Sequence, residues 1–436
     1  MLFNKILIYF NIIINNTGSY SIASSKLVSF EINKYIIFFT LGALYLPLFS
    51  ISTACKAAED SVDIESLLIE RKSQSNANGI LGSIFQTSTD PRERIENAFG
   101  VTVEASYTIY SNWDPDLDEF VANGLFGFAS GWEVINRGSN NSGSFFAYIE
   151  NRHDLSTTTG LQFERQQGSI WPINAISSQP FTRLRQLFYR QELFNNQLIL
   201  GVGKLSTRAL WSRSRFTSNK ATTFQSAPLA LARSTPWPSD SVGFYARWQK
   251  YESLFNLSAG VFDAEPEPYG LDFDVEGPYF FFGLSLFSSP WTPASGTEFP
   301  NHLLQITTYH RPETRSSKDV WGFVATYDWQ LTPRVGVGSR YGLRTKDFGG
   351  ISQLAAIGLI VDRPFGREGD AFGAGVSWAE QGMDELTQLG GEIFYRSRVL
   401  PGIQITPNIQ FFERSAQAHH RQSIGCVLGI RTHVVF

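Results

Sequence analysis

From Val101 onward, apolar and polar side chains alternate with a period of two. Val242, Phe244, Ala246 and Trp248 alternate with Gly243, Tyr245, Arg247 and Gln249. Trp321, Phe323, Ala325, Tyr327 and Trp329 alternate with Gly322, Thr326 and Asp328, and Phe372, Ala374, Val376 and Trp378 with Gly373, Gly375 and Ser377. The stretches 101–109, 255–261 and 403–411 repeat the pattern. Successive side chains of a strand point to opposite faces, so each stretch predicts a strand with one greasy and one polar face. A soluble half-buried sheet alternates as well, but two details favour a membrane. Aromatics bracket the apolar face, as Trp321 and Trp329 do, and the other face carries glycine, hydroxyl, amide or charge, which suits a wet lumen.

The last stretch follows the same rule. Ile424, Cys426, Leu428, Ile430, Val434 and Phe436 share one parity; Gly425, Gly429, Arg431 and His433 share the other, with Val427 and Val435 as exceptions. This predicts a closing strand whose terminal aromatic, Phe436, is an interfacial anchor and assembly signal. Weaker candidates fill the gaps. They give about 16 strands, beginning near Val101, Ser144, Thr157, Thr182, Gln197, Ser241, Phe255, Tyr279, Leu303, Val320, Val335, Gln353, Ala371, Gly391, Ile403 and Ile424. Leu125 to Ile135 has room for a further pair. The fold class is therefore all-β, a transmembrane antiparallel barrel of porin-like size. Short turns are expected at Asn195-Asn196, Tyr251-Glu252, Thr332-Pro333 and Pro401-Gly402, with 288–301 a long exception. The longest loop on the opposite rim runs from about Ser206 to Asp240, and it is the third there.

Composition narrows the class. Charged residues are 17% of the 436, against about 25% in soluble domains, while aromatics reach 14%. The net charge of −4 gives no nucleic-acid footprint. Two cysteines, Cys55 and Cys426, provide no disulfide framework, and the six histidines show no ligand spacing, so neither metal nor cofactor is expected. No nucleophile elbow or metalloprotease spacing points to an enzyme. Lys34, the apolar run 35–49 and the small residues that follow read as a secretory leader, 1–57, of which 1–33 looks like an over-extended start. Residues 58–100 read as a periplasmic lead-in and 101–436 as the barrel.

A lipid-facing arginine costs roughly 2–4 kcal/mol at the midplane, so the charged residues of the strands belong inside. By parity Glu104, Arg183, Arg185, Arg247, Asp328, Arg340, Glu392, Arg396 and Arg431 face the lumen. Two readings stay open: they touch solute, or they only form an inter-strand ladder. The third loop holds Arg208, Trp211, Arg213, Arg215, Lys220, Arg233 and Trp237. It either folds inward as a constriction or lies solvated outside.

Three stretches together resemble the carbohydrate-selective porins of the OprB family. They are Arg183 to Leu205, with its Arg-Leu-Arg strand and Gly-Lys-Leu end; Phe255 to Glu265, with Ala-Gly-Val-Phe-Asp; and Gly366 to Asp370 leading into Phe372–Val376, together with the Gln404 to Gln410 strand and the last strand. The resemblance implies passive diffusion of carbohydrates and similar small polar solutes through a water-filled barrel in the bacterial outer membrane. Its partners would be outer-membrane lipid, the solutes and the assembly machinery, with the chain a monomer or a trimer. It also favours Arg183 and Arg185 as solute contacts. The alternative is a general or anion-preferring porin, and further off a barrel adhesin or enzyme.

Overall fold

A computed structural model describes residues 96, 98–174, 180–212, 214–219, 221–238, 240–249, 253–264, 271, 277–287, 301–313, 318–346, 350–382, 386–414 and 424–436. The expected leader 1–57 lies outside them. Of the expected lead-in, Glu96 and 98–100 are described, a helical turn closed by Gly100 N–H donating to the Glu96 carbonyl (2.8 Å).

Sixteen antiparallel strands close into one barrel, each paired with its sequence neighbours and β1 with β16. They are β1 (Val101–Asp114), β2 (Glu119–Ile135), β3 (Gly143–Asp154), β4 (Phe181–Leu193), β5 (Leu198–Leu205), β6 (Ser241–Gln249), β7 (Phe255–Phe262), β8 (Tyr279–Phe287), β9 (His302–Arg311), β10 (Val320–Thr332), β11 (Val335–Arg344), β12 (Ile351–Asp362), β13 (Ala371–Gln381), β14 (Thr387–Leu400), β15 (Ile403–Glu413) and β16 (Ile424–Val435). A closed barrel leaves no unpaired sheet edge, which is what a strand structure in hydrocarbon requires. The closing seam pairs Tyr110 with Arg431 and Thr108 with His433, and Phe436 N–H donates to the Ala105 carbonyl (2.8 Å). The start of β1 and the end of β16 thus share one rim, called here the terminal rim.

Alternation sorts the two faces. On β10 Trp321 and Trp329 are exposed, while Val320, Val324, Thr326 and Asp328 are buried inside. On β16 Ile424, Leu428 and Ile430 are exposed outward, and Gly425, Val427, Gly429, Arg431 and His433 are buried inward. No helix among the described residues is long and apolar enough to cross a membrane.

Two strand assignments differ from the sequence expectation. The strand expected at Thr157 is loop followed by a helix, α1 (Gly160–Gln166), and the further strand pair suspected at 125–135 is the C-terminal part of a single strand, β2. Thr159 is the N-cap of α1: its hydroxyl accepts from Gln162 N–H, and the Gln162 side chain accepts from Thr159 N–H. A run of β-branched residues read as strand is therefore a helix start. β1 and β2 are joined by a tight turn in which the Asp114 carboxylate accepts from Asp116 and Leu117 N–H (2.8 and 3.2 Å). The two errors cancel, so 206–240 remains the third loop of the rim opposite the terminal rim. The turn residues Tyr251 and Glu252, and 288–300, lie outside the described residues; Asn195 and Asn196 do form the β4–β5 turn, at φ 57° and 65°.

The core of this protein lies inside the barrel. The third loop, L3, carries α2 (Thr207–Trp211) and α3 (Ala227–Ala230), and packs on the inner wall with Trp211, Phe224 and Leu229 buried. The second loop of that rim, L2 (155–180), carries α1. It packs Phe163, Trp171 and Ile173 against Val121, Leu354, Phe412 and Val427, the last being one of the exceptions to alternation on β16. Each such burial stabilises the loop's seat by about 1.5–3 kcal/mol.

Candidate functional site: the lumen between the infolded loops and the β3–β4 wall

L3 is fastened to the far wall by charged side chains of the strands. The Asp328 carboxylate on β10 accepts from Ser214 Oγ (2.6 Å) and Arg215 N–H (2.8 Å). Arg340 on β11 donates to the carbonyls of Leu229 (3.2 Å) and Ser212 (3.0 Å) and to Ser218 Oγ (2.8 Å). Glu392 on β14 accepts from the N–H groups of Gln225 (3.0 Å) and Ser226 (2.7 Å), and Arg396 donates to the Thr222 carbonyl (3.2 Å). Backbone groups of an irregular loop need partners when buried, and the wall supplies them. The aromatic side of the seat is equally specific. The Trp211 indole stacks on Phe281 (4.9 Å between ring centres, 9°) and its Nε1 donates to Ser258 Oγ (2.8 Å). Gly260 and Gly283 lie beneath this ring, and a Cβ at either would collide with it.

L2 crosses to the other half of the lumen. The Gln388 side chain on β14 accepts from Ile170 N–H (2.6 Å) and donates to Ser169 Oγ (2.9 Å), and Arg414 donates to the Gln167 carbonyl (3.3 Å). Trp171 lies over Gly390, where a Cβ would come within 2.7 Å of the indole. L2 and L3 meet where Ala227 N–H donates to the Pro172 carbonyl (3.2 Å).

Charge concentrates where these loops face β3 and β4. Arg185 is the centre: it is bidentate to Asp240 (Nε to Oδ2 2.6 Å, Nη2 to Oδ1 2.7 Å), and its Nη1 lies 3.0 and 3.1 Å from the two oxygens of Glu150. Arg152 donates to Glu150 (2.7 Å), and Arg183 reaches Asp240 (3.3 Å) while its guanidinium covers the Phe181 ring (4.2 Å). Asp240 sits at φ 51°, a left-handed turn that aspartate tolerates, and this aims its carboxylate back at β4. Arg208 and Arg233 of L3 stand in the same electrostatic neighbourhood, Arg208 beside Arg185, Arg152 and Asp240, and Arg233 beside Arg152 and Glu164 of α1. Burial, with Arg233 and Arg185 beside it, pushes the Arg208 guanidinium down to about 9, so it remains a cation at neutral pH. Five guanidiniums (152, 183, 185, 208, 233) thus face three carboxylates (150, 164, 240), a surplus of two positive charges. Neither Arg208 nor Arg233 has a hydrogen-bond partner among the described residues for its Nε.

The residues singled out from sequence divide accordingly. Arg183, Arg185 and Arg208 come together. Arg340 and Glu392 face inward but are 4% and 1% exposed beneath L3, and Trp211 is 3% exposed. These three, with Arg215 on Asp328, seat the loop and form no open wall; their inward parity told the face and not what covers it. Arg247 and Glu104 face inward on β6 and β1, nearer the terminal rim. Arg213 and Lys220 lie outside the described residues. Sequence reading passed over Glu150 and Arg152, although both sit on the inward parity of a charged run, Glu150-Asn151-Arg152-His153-Asp154. Among the described residues no group of three or more His, Cys, Asp or Glu could hold a metal.

The description "Carbohydrate-selective porin, OprB family" matches residues 134–285 and 276–436. Among solved structures, the high-pH structure of Pseudomonas putida OprB is 14% identical, covering 79% of this chain and 96% of its own, with a TM-score of 0.64. The low-pH structure of the same protein is 15% identical, with 79% and 95% covered and a TM-score of 0.51. At these identities the likeness is one of fold. No curated protein matches the chain by sequence.

Proposed function

The chain belongs to the carbohydrate-selective porin family OprB, and from that premise we propose that solute passes along the β3–β4 wall and touches the arginine cluster there. The protein is an outer-membrane porin for carbohydrates; family and fold point to a channel rather than an enzyme. It performs no bond chemistry. Its residues set the width, polarity and charge of a hydrated path, and binding stays weak enough for release. The observation that carries the site is the pair Arg208 and Arg233. Both are partly exposed beside the paired cluster, and no described residue accepts a hydrogen bond from either guanidinium. A sugar offers hydroxyl acceptors to such fixed donors. Arg185 and Arg152, locked on Glu150 and Asp240, hold the wall in shape around them. Trp237, stacked on Phe281 (5.5 Å, 7°) and only partly buried, adds a flat apolar surface beside the path.

The test is sugar block of single-channel current in planar bilayers. The double change Arg208→Ala, Arg233→Ala should weaken block about tenfold or more, since a hydrogen bond to a charged group contributes about 1.5–3 kcal/mol. Unchanged block would overturn the assignment. The same surplus of positive charge favours a second reading, a general or anion-preferring porin. Wild-type current that is anion-selective yet indifferent to every sugar would establish that one instead.

In the outer membrane the terminal rim, where Phe436 closes the seam, faces the periplasm. Phe436 is half exposed there and serves as interfacial anchor and as the handle for the assembly machinery. Phe436→Ala should therefore lower the fraction of heat-modifiable, folded barrel in cells while leaving the conductance of the folded fraction unaltered. A normal folded fraction would remove the assembly role.

A further inference from the structure

The turn 363–370, between β12 and β13 on the terminal rim, takes no part in the lumen. It is rigidly built. Gly366 N–H donates to the Arg363 carbonyl (2.9 Å) and Arg363 N–H to the Asp370 carbonyl (2.9 Å). The Asp370 side chain, 0% exposed, accepts from Tyr395 OH (2.8 Å) and Arg398 N–H (3.0 Å), with Arg367 Nε at 3.5 Å. What this frame presents is unusual for solvent. Phe365 is 78% exposed, the most exposed large apolar side chain among the described residues. Its ring lies 5.9 Å from Tyr395, a residue on the outward parity of β14. Arg367, 61% exposed, stands beside the same tyrosine through their shared partner Asp370. One strand over, the Arg334 carbonyl accepts from Asp362 N–H (2.7 Å), which sets Arg334 beside Arg363. Neither of these two arginines has a side-chain hydrogen bond or ion pair among the described residues. The carboxylates Asp362 and Glu368 share the rim, and Asp370 is enclosed in the turn.

An exposed aromatic next to a lipid-facing tyrosine, continuous with the apolar belt and ringed by arginines, has the make-up of a headgroup contact. We propose that the sector of the terminal rim formed by Arg334, Arg363, Phe365 and Arg367 binds the phosphate of an anionic phospholipid in the periplasmic leaflet. Phe365 enters the acyl boundary while the guanidiniums take the phosphate oxygens. The proposal rests on the outer-membrane porin reading, which sets this rim at that leaflet.

The experiment uses the folded barrel in detergent and measures energy transfer from its tryptophans to dansyl-labelled phosphatidylglycerol and, separately, phosphatidylcholine. Wild type should prefer phosphatidylglycerol. Arg334→Gln with Arg363→Gln should reduce that preference about fivefold for each arginine, and adding Arg367→Gln should abolish it. Phe365→Ala should weaken both lipids alike. Arg137→Gln, an exposed arginine at the β2–β3 turn of the same rim, should change neither. The Arg334 and Arg363 pair tests the idea even where loss of Arg367 disturbs the turn, and heat-modifiable migration reports the fold. No preference in wild type, or a preference that survives the double change, overturns the proposal. Bilayer conductance of the same preparations separates this from the larger reading: a barrel that conducts without lipid preference loses the headgroup site alone.

Discussion

Removing Asp328 and Arg340 together widens the channel while leaving the barrel standing. These two side chains supply five hydrogen bonds to L3, with Asp328 accepting from Ser214 Oγ and Arg215 N–H and Arg340 donating to Ser212, Ser218 and Leu229. Bonds to charged groups contribute about 1.5–3 kcal/mol each. Their joint loss exceeds what the remaining tethers at Glu392 and Arg396 can offset at that end of the loop. The strand ladders of β10 and β11 are untouched, because both residues take part through side chains alone. The expected result for Asp328→Ala, Arg340→Ala is single-channel conductance raised about twofold or more, with liposome swelling extended to larger saccharides. The single changes should not add up to the double. Arg340→Ala leaves Asp328 buried on Ser214 and Arg215, whereas Asp328→Ala leaves Arg340 a buried cation without its neighbouring carboxylate, which costs about 3–5 kcal/mol. Asp328→Ala should therefore destabilise the folded band more than the double does. Unchanged conductance in the double variant would show that L3 is held by its apolar seat, Trp211 on Phe281 above all.

Much of the barrel was legible because lipid and lumen impose opposite demands on alternate residues. On β10 and β16 that contrast runs along most of the strand, with Val320, Val324 and Val427 as inward apolar exceptions. β2 was half hidden because small residues, Asn123, Gly127, Ala129 and Gly131, fill its inner face and blur the contrast. Thr157 to Thr159 misled for a different reason: β-branched residues suit strands, but a threonine hydroxyl also caps helices, and here the cap won. L2 has no period at all, since its Phe163, Trp171 and Ile173 follow no regular face. Its trace in the sequence was on the opposite wall, in inward apolar residues such as Val121 and Val427 that a wet lumen does not call for. The site shows the same limit. Parity put Arg185 and Glu392 on one face, but Arg185 finds Asp240 across 55 positions of chain and Glu392 finds Gln225 across 167. No local pattern distinguishes the arginine proposed to meet solute from the one that meets a loop.

Arg185 is where the wall and the path depend on one side chain. Its guanidinium occupies both oxygens of Asp240 and both of Glu150, and the two carboxylates are 2% and 1% exposed. Arg185→Ala leaves them facing each other, with Arg152 and the Tyr148 hydroxyl on Glu150 and Arg183 on Asp240. Breaking a buried pair from one side costs about 3–5 kcal/mol, so the folded band should shift to lower temperature. The charge effect follows from the same count. The surplus of two positive charges falls to one, and the L3 end at Asp240 loses its bidentate hold on β4. Arg208, carried on that loop, then loses its fixed position. Sugar block should fall further than in Arg183→Ala, whose single 3.3 Å contact leaves Arg185 in place. Reversal potential should move toward cations in both. Arg185→Lys should restore the charge and hence the reversal potential. It should not restore block or thermal stability, because an ammonium cannot present two parallel donors to Asp240 while holding Glu150. A lysine variant that recovers all three properties would mean that the site uses charge alone and that the fork geometry is incidental.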